Sequence, residues 1–422
     1  MKIAIVNTHD IIGGAERCSY NLVTQLRQGG DDARLIVGGK RGTDSFVRQI
    51  DYGGIDWRLR GLVHNRLGWT DTTLMAPIRG CYTWPELRHA DVVNIHNMHG
   101  AYWNFWTLPI LSRRTPLILT LHDEWLLTGD CAYTYGCTKW KQQCGACPQA
   151  SAGNPDHRAC IGGADATRFN LGLKRKALDL CSADSIEIVA PSQWLLDRAA
   201  MAPHLARFPK RRIRYGVDLE TFQPIDKYES RAALSLPTDE TLLFAPAAHA
   251  NDPRKNLSVL RESMRLPEWP RRCRVVVAGR ADATLRRDFE DLPLTWLGYL
   301  KAPVEMARAI SACDATLLVS KADNLPYTGL ESLACGRPLI GAEVGGISEM
   351  IEPETTGWSW QLGADELAGH VARLASLGDA ERLTMQRAAR AAAEHRFDVR
   401  READNYKALF TEAVTRRQRA PA

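Results

Sequence analysis

Short β-branched runs alternate with helical stretches from the first residues onward. Lys2–Val6, Ala33–Gly38, Asp91–His96, Pro116–His122 and Ile186–Pro191 each read as a buried parallel strand bounded by turn or helix-start residues. Between the first two, Ala15–Gln28 repeats its apolar residues at helical spacing. Beyond Pro224 the pattern restarts with Thr241–Ala247, Arg274–Gly279, Leu294–Gly298, Ala315–Ser320 and Pro338–Ala342. Two successive β-α series of this length predict two doubly wound α/β domains. Gly216 and Pro224 bracket a short polar stretch, Tyr215–Pro224, that marks the seam. The predicted domains are 1–215 and 216–399, followed by 400–422 as a helical segment that packs back on the first domain. The stretch Glu366–Arg396, rich in Ala, Leu, Arg and Glu, is predicted to be helical, and Arg400–Arg416 to form a second helix.

Composition narrows the classes. The 422 residues exceed one ordinary core, and 45% hydrophobic with 24% charged residues is a globular balance that excludes a mostly disordered chain. A net charge of +5, from 54 basic and 49 acidic residues, is too small to make nucleic acid the default partner. The longest apolar runs, Thr115–Leu121 and Ala315–Val319, fall far short of the roughly 18 residues of a membrane span. Met1–Val6 lacks the apolar stretch and small-residue site of a signal peptide, so the expected location is the cytosol. The segment Trp57–Trp69 mixes basic, aliphatic and aromatic residues at roughly helical spacing. It reads either as a peripheral contact with the inner face of an anionic membrane or, with Gly61 weakening the helix, as plain packing.

Ligands of open α/β sheets bind beyond the carboxyl ends of the strands, so candidate chemistry is sought just after each strand. The first strand runs into Gly13-Gly14-Ala15-Glu16, where paired glycines opening a helix bring backbone N–H groups close to an anion or sugar. A tight turn explains the same glycines. After Ala315–Ser320 comes Asp323-Asn324-Leu325, and eight residues beyond Asp323 stands Glu331 in the first turns of the next helix. Two acids so placed can bracket a polyhydroxylated ligand, and the intervening amides can hold a diphosphate. The plainer account is a solvated loop acid and a helix-start acid stabilised by the macrodipole. In the first half, His122 ends one strand, and His96 and His99 follow another. His96 and His99 read as an acceptor pocket or as a polar network supporting the His122 loop.

Five of the eleven cysteines crowd into Cys131–Cys160. Cys131-x5-Cys137-x6-Cys144-x2-Cys147 fits a tetrahedral structural zinc, with one CxxC half-site. Reduced cysteines packing among Tyr133, Tyr135, Trp140 and Pro148 fit as well. Four thiolates leave no open coordination position, so such a metal would not be catalytic.

Taken together, Asp323-x7-Glu331, the run Ser332-Leu333-Ala334-Cys335-Gly336-Arg337-Pro338 and the turn Gly345-Gly346-Ile347-Ser348-Glu349 resemble the donor site of GT-B fold, family 4 retaining glycosyltransferases. Gly13-Gly14-Ala15-Glu16 is similar to that family's N-terminal glycine loop, and Tyr215-Gly216-Val217-Asp218 with Phe222 and Pro224 to its interdomain linker. The resemblance implies two Rossmann-like domains facing across a cleft and a sugar transferred from a nucleotide-diphosphate sugar, UDP- or GDP-linked. It implies that Glu331 binds the nucleotide ribose, Asp323 the transferred sugar, and Asn324 and Leu325 the donor. Lys255 matches the family's diphosphate lysine. His249 stands where its arginine is expected, with Arg254 as a substitute, and Asp323 is one methylene shorter than the usual Glu. His122 matches a histidine close to the donor phosphate and reacting carbon. The segment His122–Pro148 resembles a bacterial subgroup linked to colanic acid and other exopolysaccharides, which implies a saccharide or polyprenyl-linked acceptor.

No Asp-x-Asp pair stands at a strand end near these residues, so no divalent metal is expected as a catalytic cofactor. The competing classes are a GT-B sugar-nucleotide hydrolase or epimerase and a zinc-containing nucleic-acid binder. The near-neutral charge and the absence of basic–aromatic interleaving around Cys131–Cys147 count against the second.

Overall fold

A computed structural model describes residues 1–11, 13–54, 56, 58, 62–63, 67–100, 102–149, 160–161 and 164–419. Most of the basic-aromatic segment Trp57–Trp69, with its membrane reading, lies outside the described residues. The chain divides into two compact units: Met1–Arg214 together with the segment that starts at Arg400, and Tyr215–Val399.

Among the described residues, the main sheet of the first unit has seven strands: β1 (Lys2–His9), β2 (Asp32–Gly39), β3 (Val47–Gln49), β4 (Val92–Ile95), β5 (Leu117–Thr120), β6 (Ile186–Ala190) and β7 (Lys210–Arg212). They pair in parallel in the order β3-β2-β1-β4-β5-β6-β7. β4, β5 and β6 are buried along their whole length, as expected of parallel strands covered on both faces. The helix Val399–Arg419 buries Tyr406, Leu409 and Phe410 in the same cluster as Ile3, Ile5 and Val37, so the chain's last helix completes the core of its first strands.

The second unit repeats the plan with β8 (Thr241–His249), β9 (Cys273–Arg280), β10 (Leu294–Gly298), β11 (Ala315–Leu318), β12 (Leu339–Ala342) and β13 (Gly357–Trp360). Their order is β10-β9-β8-β11-β12-β13, all parallel. In both sheets the strand order reverses beside the first strand, between β1 and β4 and between β8 and β11. Such a switch point opens a crevice at the strands' carboxyl ends.

Two details differ from the sequence expectations. Glu366–Arg396 is not one helix but two, Ala364–Ser376 and Asp379–Arg396. The break falls at Leu377 and Gly378, where the Gly378 amide donates to Glu381 Oε2 at 2.9 Å and caps a new start. The short strands β3, β7 and β13 were not marked by the apolar pattern. Among the described residues, no helix is long and apolar enough to cross a membrane.

Candidate functional site

In the second unit the loop after β8 and the loop after β11 meet at the switch point. Asp252 starts a short 3₁₀ turn, Pro253–Lys255, by accepting from the Arg254 amide at 2.8 Å. That turn aims two cations the same way. Arg254 Nη1 and Lys255 Nζ each lie 3.1 Å from Asp323 Oδ2, and the Asn324 amide donates to Asp323 Oδ1 at 3.1 Å. Burial works against the Asp323 charge, but Lys255 and Arg254 hold its carboxyl below the usual carboxylate range. Arg254 also reaches Asp252 Oδ2 at 3.3 Å. Two cations therefore face two carboxylates, and each cation keeps about a fifth of its side chain exposed. Lys255 Nζ carries two further N–H donors, which can take an anion without Asp323 being stripped of its Arg254 partner.

The glycine turn after β12 fixes this cluster from the other side. Gly345 has φ +58°, and a Cβ there would stand 1.6 Å from the Asp323 carbonyl oxygen. Only glycine allows that approach. The Gly346 amide then donates to the Asn324 carbonyl at 2.6 Å. Leu325 and Asn324 are both buried. Glu331 lies on the helix Tyr327–Ala334 and is 1% exposed. That helix packs tightly, since a Cβ on Gly329 would come within 2.7 Å of Met350 Cε. His249, the last residue of β8, is exposed. Of the three basic candidates, Arg254 and Lys255 meet Asp323, so the residues on Asp323 are those two and not His249.

In the first unit Gly13 (φ +98°) precedes the helix Gly14–Gln28. The space a Cβ would fill at Gly13 is taken by Glu16 Oε2, at 2.3 Å. A carboxylate thus already stands at the turn proposed for an anion, and burial raises its pKa. His96 and His122 are joined, Nδ1 to Nε2, at 2.8 Å, with rings stacked 5.0 Å apart. Both are buried, which pulls His96 down to about 3 and His122 well below the ordinary imidazole value. His99 is paired instead with Asp123, at 2.8 Å. Although burial opposes its charge, the Asp123 carboxylate raises the His99 pKa.

Cys131, Cys137, Cys144 and Cys147 line one small cavity together with Trp140 and Thr167, and all four are thiols rather than disulfides. The Gly129 amide donates to Cys144 Sγ at 3.2 Å. Burial and neighbouring thiols push Cys144 up, and a Cys147 hydrogen bond followed by burial pushes Cys131 up further. Among the described residues no three His, Cys, Asp or Glu side chains are arranged as a metal ion needs. The donor set suits zinc, but the thiols border the cavity without converging on a point. The loop also has an apolar anchor of its own: Trp140 is 1% exposed, donates to the Cys137 carbonyl at 2.9 Å and lies under Arg198. Sequence reasoning missed Lys174, which is buried, donates to the carbonyls of Trp125 and Thr128 at 2.6 and 2.9 Å, and is lowered by burial to about 8. A lone lysine in an amphipathic helix carries no signal of that role.

Residues 239–376, which contain the Arg254–Lys255–Asp323 cluster and Glu331, match the family described as glycosyl transferases group 1. The second unit carries a group 1 glycosyltransferase domain. The chain is also similar to the putative colanic acid biosynthesis glycosyl transferase WcaC of Escherichia coli (strain K12), 24% identical over 275 residues that make up 62% of each protein. Like the other curated relatives, that protein is matched over less than two-thirds of its length. Among solved structures, sucrose-phosphate synthase from Thermosynechococcus elongatus superposes with a TM-score of 0.70 at 17% identity, covering 98% of this chain and 99% of that one. Anabaena Alr3699/HepE in complex with UDP-glucose gives 0.65 at 15% identity, covering 97% and 99%. These likenesses establish the fold as GT-B, with an α/β sheet of this type in each unit.

Proposed function

We propose that the protein is a retaining glycosyltransferase that moves a sugar from a nucleotide-diphosphate sugar to a saccharide or lipid-linked saccharide in bacterial surface polysaccharide synthesis. The observation that carries this reading is the Arg254–Lys255–Asp323 cluster at the switch point of the group 1 domain. Its cations and the amides beyond Asp323 suit a diphosphate, whose negative charge grows as the sugar's C1–O bond breaks. Asp323 would then face the sugar and Glu331 the ribose. Retention without a protein nucleophile has the acceptor oxygen bond C1 on the face the diphosphate leaves, its proton passing to a departing phosphate oxygen. The WcaC likeness supports an exopolysaccharide acceptor, and the UDP-glucose bound to the HepE neighbour favours a uridine donor over a guanosine one. His122 would act close to the donor phosphate and reacting carbon, with His96 and His99 toward the acceptor and no divalent metal required.

Calorimetric titration with UDP-, GDP- and ADP-sugars tests the donor. One of them should bind the wild type, and Glu331→Gln should weaken it by about 1–3 kcal/mol, the cost of losing a charged acceptor for hydroxyls. Equal affinity in the two proteins would remove Glu331 from the ribose. Donor turnover that is as fast without any acceptor would favour a hydrolase instead.

We further propose a structural zinc in the cysteine loop on the strength of its donor set, four thiols bordering one cavity; because they do not converge as they stand, binding requires them to close on the ion. Protein purified without chelator should contain close to one equivalent of zinc. Less than about a tenth of an equivalent by elemental analysis would leave the thiols as packing residues.

A further inference from the structure

Two residues from β4 and its extension and two from β5 and its extension form a ladder. Asn94 and His96 are two apart and so share one face of the sheet, as do Thr120 and His122 on the neighbouring strand. Tyr406, on the helix Val399–Arg419, closes the far end. Every rung is a hydrogen bond of ordinary length. The Thr120 hydroxyl lies 3.0 Å from the Tyr406 hydroxyl and donates to Asn94 Oδ1 at 2.9 Å. Asn94 Nδ2 stands 3.1 Å from His96 Nε2, and His96 Nδ1 stands 2.8 Å from His122 Nε2. Asn94, His96, Thr120 and Tyr406 are each no more than 3% exposed, and His122 is 8% exposed.

The chemistry of each group assigns every proton in turn. Thr120 spends its one proton on Asn94, so it accepts from Tyr406. An amide nitrogen can only donate, so His96 Nε2 accepts from Asn94 and carries no proton. A neutral His96 is then protonated at Nδ1 and donates to His122 Nε2. The only ring nitrogen left to hold the His122 proton is Nδ1. Asp123, the adjacent carboxylate, accepts from His99 Nε2 at 2.8 Å and from the Trp125 amide at 2.8 Å.

We propose that Asn94, held by Thr120, is a positioning residue that acts through His96 to fix His122 in its Nδ1–H tautomer, so that His122 serves sugar transfer as a neutral hydrogen-bond donor and not as a base at Nε2. Burial of both rings, which lowers both pKa values, agrees with the neutral forms. The role in transfer rests on the function proposed above; the tautomer does not. The relay's direction hangs on one side chain, because turning the Asn94 amide end for end would reverse every donor and acceptor along it.

Long-range proton–nitrogen correlation spectra of ¹⁵N-histidine-labelled protein, without substrate near neutral pH, read the tautomers directly. His96→Gln and His122→Gln assign the signals. Both rings should be Nδ1–H in the wild type, and an Nε2–H signal for His122 overturns the proposal whatever the protein catalyses. Asn94→Asp puts an acceptor where a donor stood, so it should turn His122 to the Nε2–H form and lower kcat at least tenfold with little change in donor affinity. Tyr406→Phe, which leaves Thr120 donating to Asn94, should keep the wild-type tautomers and serves as the packing control. If Asn94→Asp reverses the tautomer yet transfers sugar at the wild-type rate, His122 is not the donor proposed. Should Asn94→Asp fail to fold, the wild-type spectrum still decides the direction of the relay.

Discussion

Lys255→Ala should lower the rate of sugar transfer by about 10²–10³-fold, the usual loss when a preorganised charge at the developing anion is removed. Lys255 Nζ sits 3.1 Å from Asp323 Oδ2 on a turn that Asp252 pins, so its position costs nothing to organise during the reaction. The fold should tolerate the change far better than the rate. Asp323 keeps Arg254 at 3.1 Å and the Asn324 amide at 3.1 Å, so no buried charge is left alone. On the proposed function the departing diphosphate would carry more charge near Lys255 than the bound donor does, so kcat should fall more than donor affinity. Steady-state kinetics beside a thermal melt check both halves. A melting temperature that falls in proportion to the rate would make Lys255 a structural residue, and an unchanged rate would take the diphosphate away from this turn.

The two-sheet plan was legible in the sequence because parallel strands buried on both faces spell continuous apolar runs. β5 and β11 are four buried residues each, with turn residues close behind. The strands that escaped notice are at the edges. β7 reads Lys210-Arg211-Arg212, a charged edge strand that blunts further pairing and hides the apolar pattern. β13 begins at Gly357, where a Cβ would lie 1.8 Å from the Leu339 carbonyl oxygen, and a glycine reads as a turn before it reads as a strand. Within the site, the acids and basic residues could be named from their places after strands, but not who pairs with whom. Arg254 and His249 were both candidates for the phosphate, and no spacing announces that the Pro253–Lys255 turn sets Arg254 on Asp323. Of the histidine relay, only a polar network from His96 and His99 to the His122 loop could be named from the chain, as one of two readings; Asn94, Thr120 and Tyr406 were beyond reach for the same reason. The relay joins Asn94 to Thr120 and Tyr406 across sequence separations of 26 and more, and only the sheet register and the last helix bring them together.

Asp314→Ala should destabilise the second unit by about 3–5 kcal/mol, the cost of breaking a buried ion pair from one side. Asp314 precedes β11 and is 4% exposed. Its Oδ2 accepts from Arg231 at 2.8 Å and from the Leu242 amide at 2.8 Å, and its Oδ1 from Lys227 at 2.5 Å. Arg231 is fully buried, and its other contacts are neutral carbonyls, among them Ala312 at 2.8 Å and Glu240 at 3.0 Å. Without Asp314 its hydrogen bonds largely survive, but its charge has no buried counterion. The pH dependence has a definite sign. Burial raises the Asp314 pKa, but Lys227 and Arg231 outweigh it and hold the folded value below the ordinary carboxylate range. The unfolded chain therefore takes up this proton at the higher pH. The stabilisation is complete above the ordinary carboxylate pKa and is lost as pH falls through the depressed folded value. Hydrogen exchange at β8 and β11 should speed up in Asp314→Ala at neutral pH, and the gap from wild type should narrow on acidification. A gap that stays constant with pH would mean that packing, not the ion pairs, makes Asp314 matter.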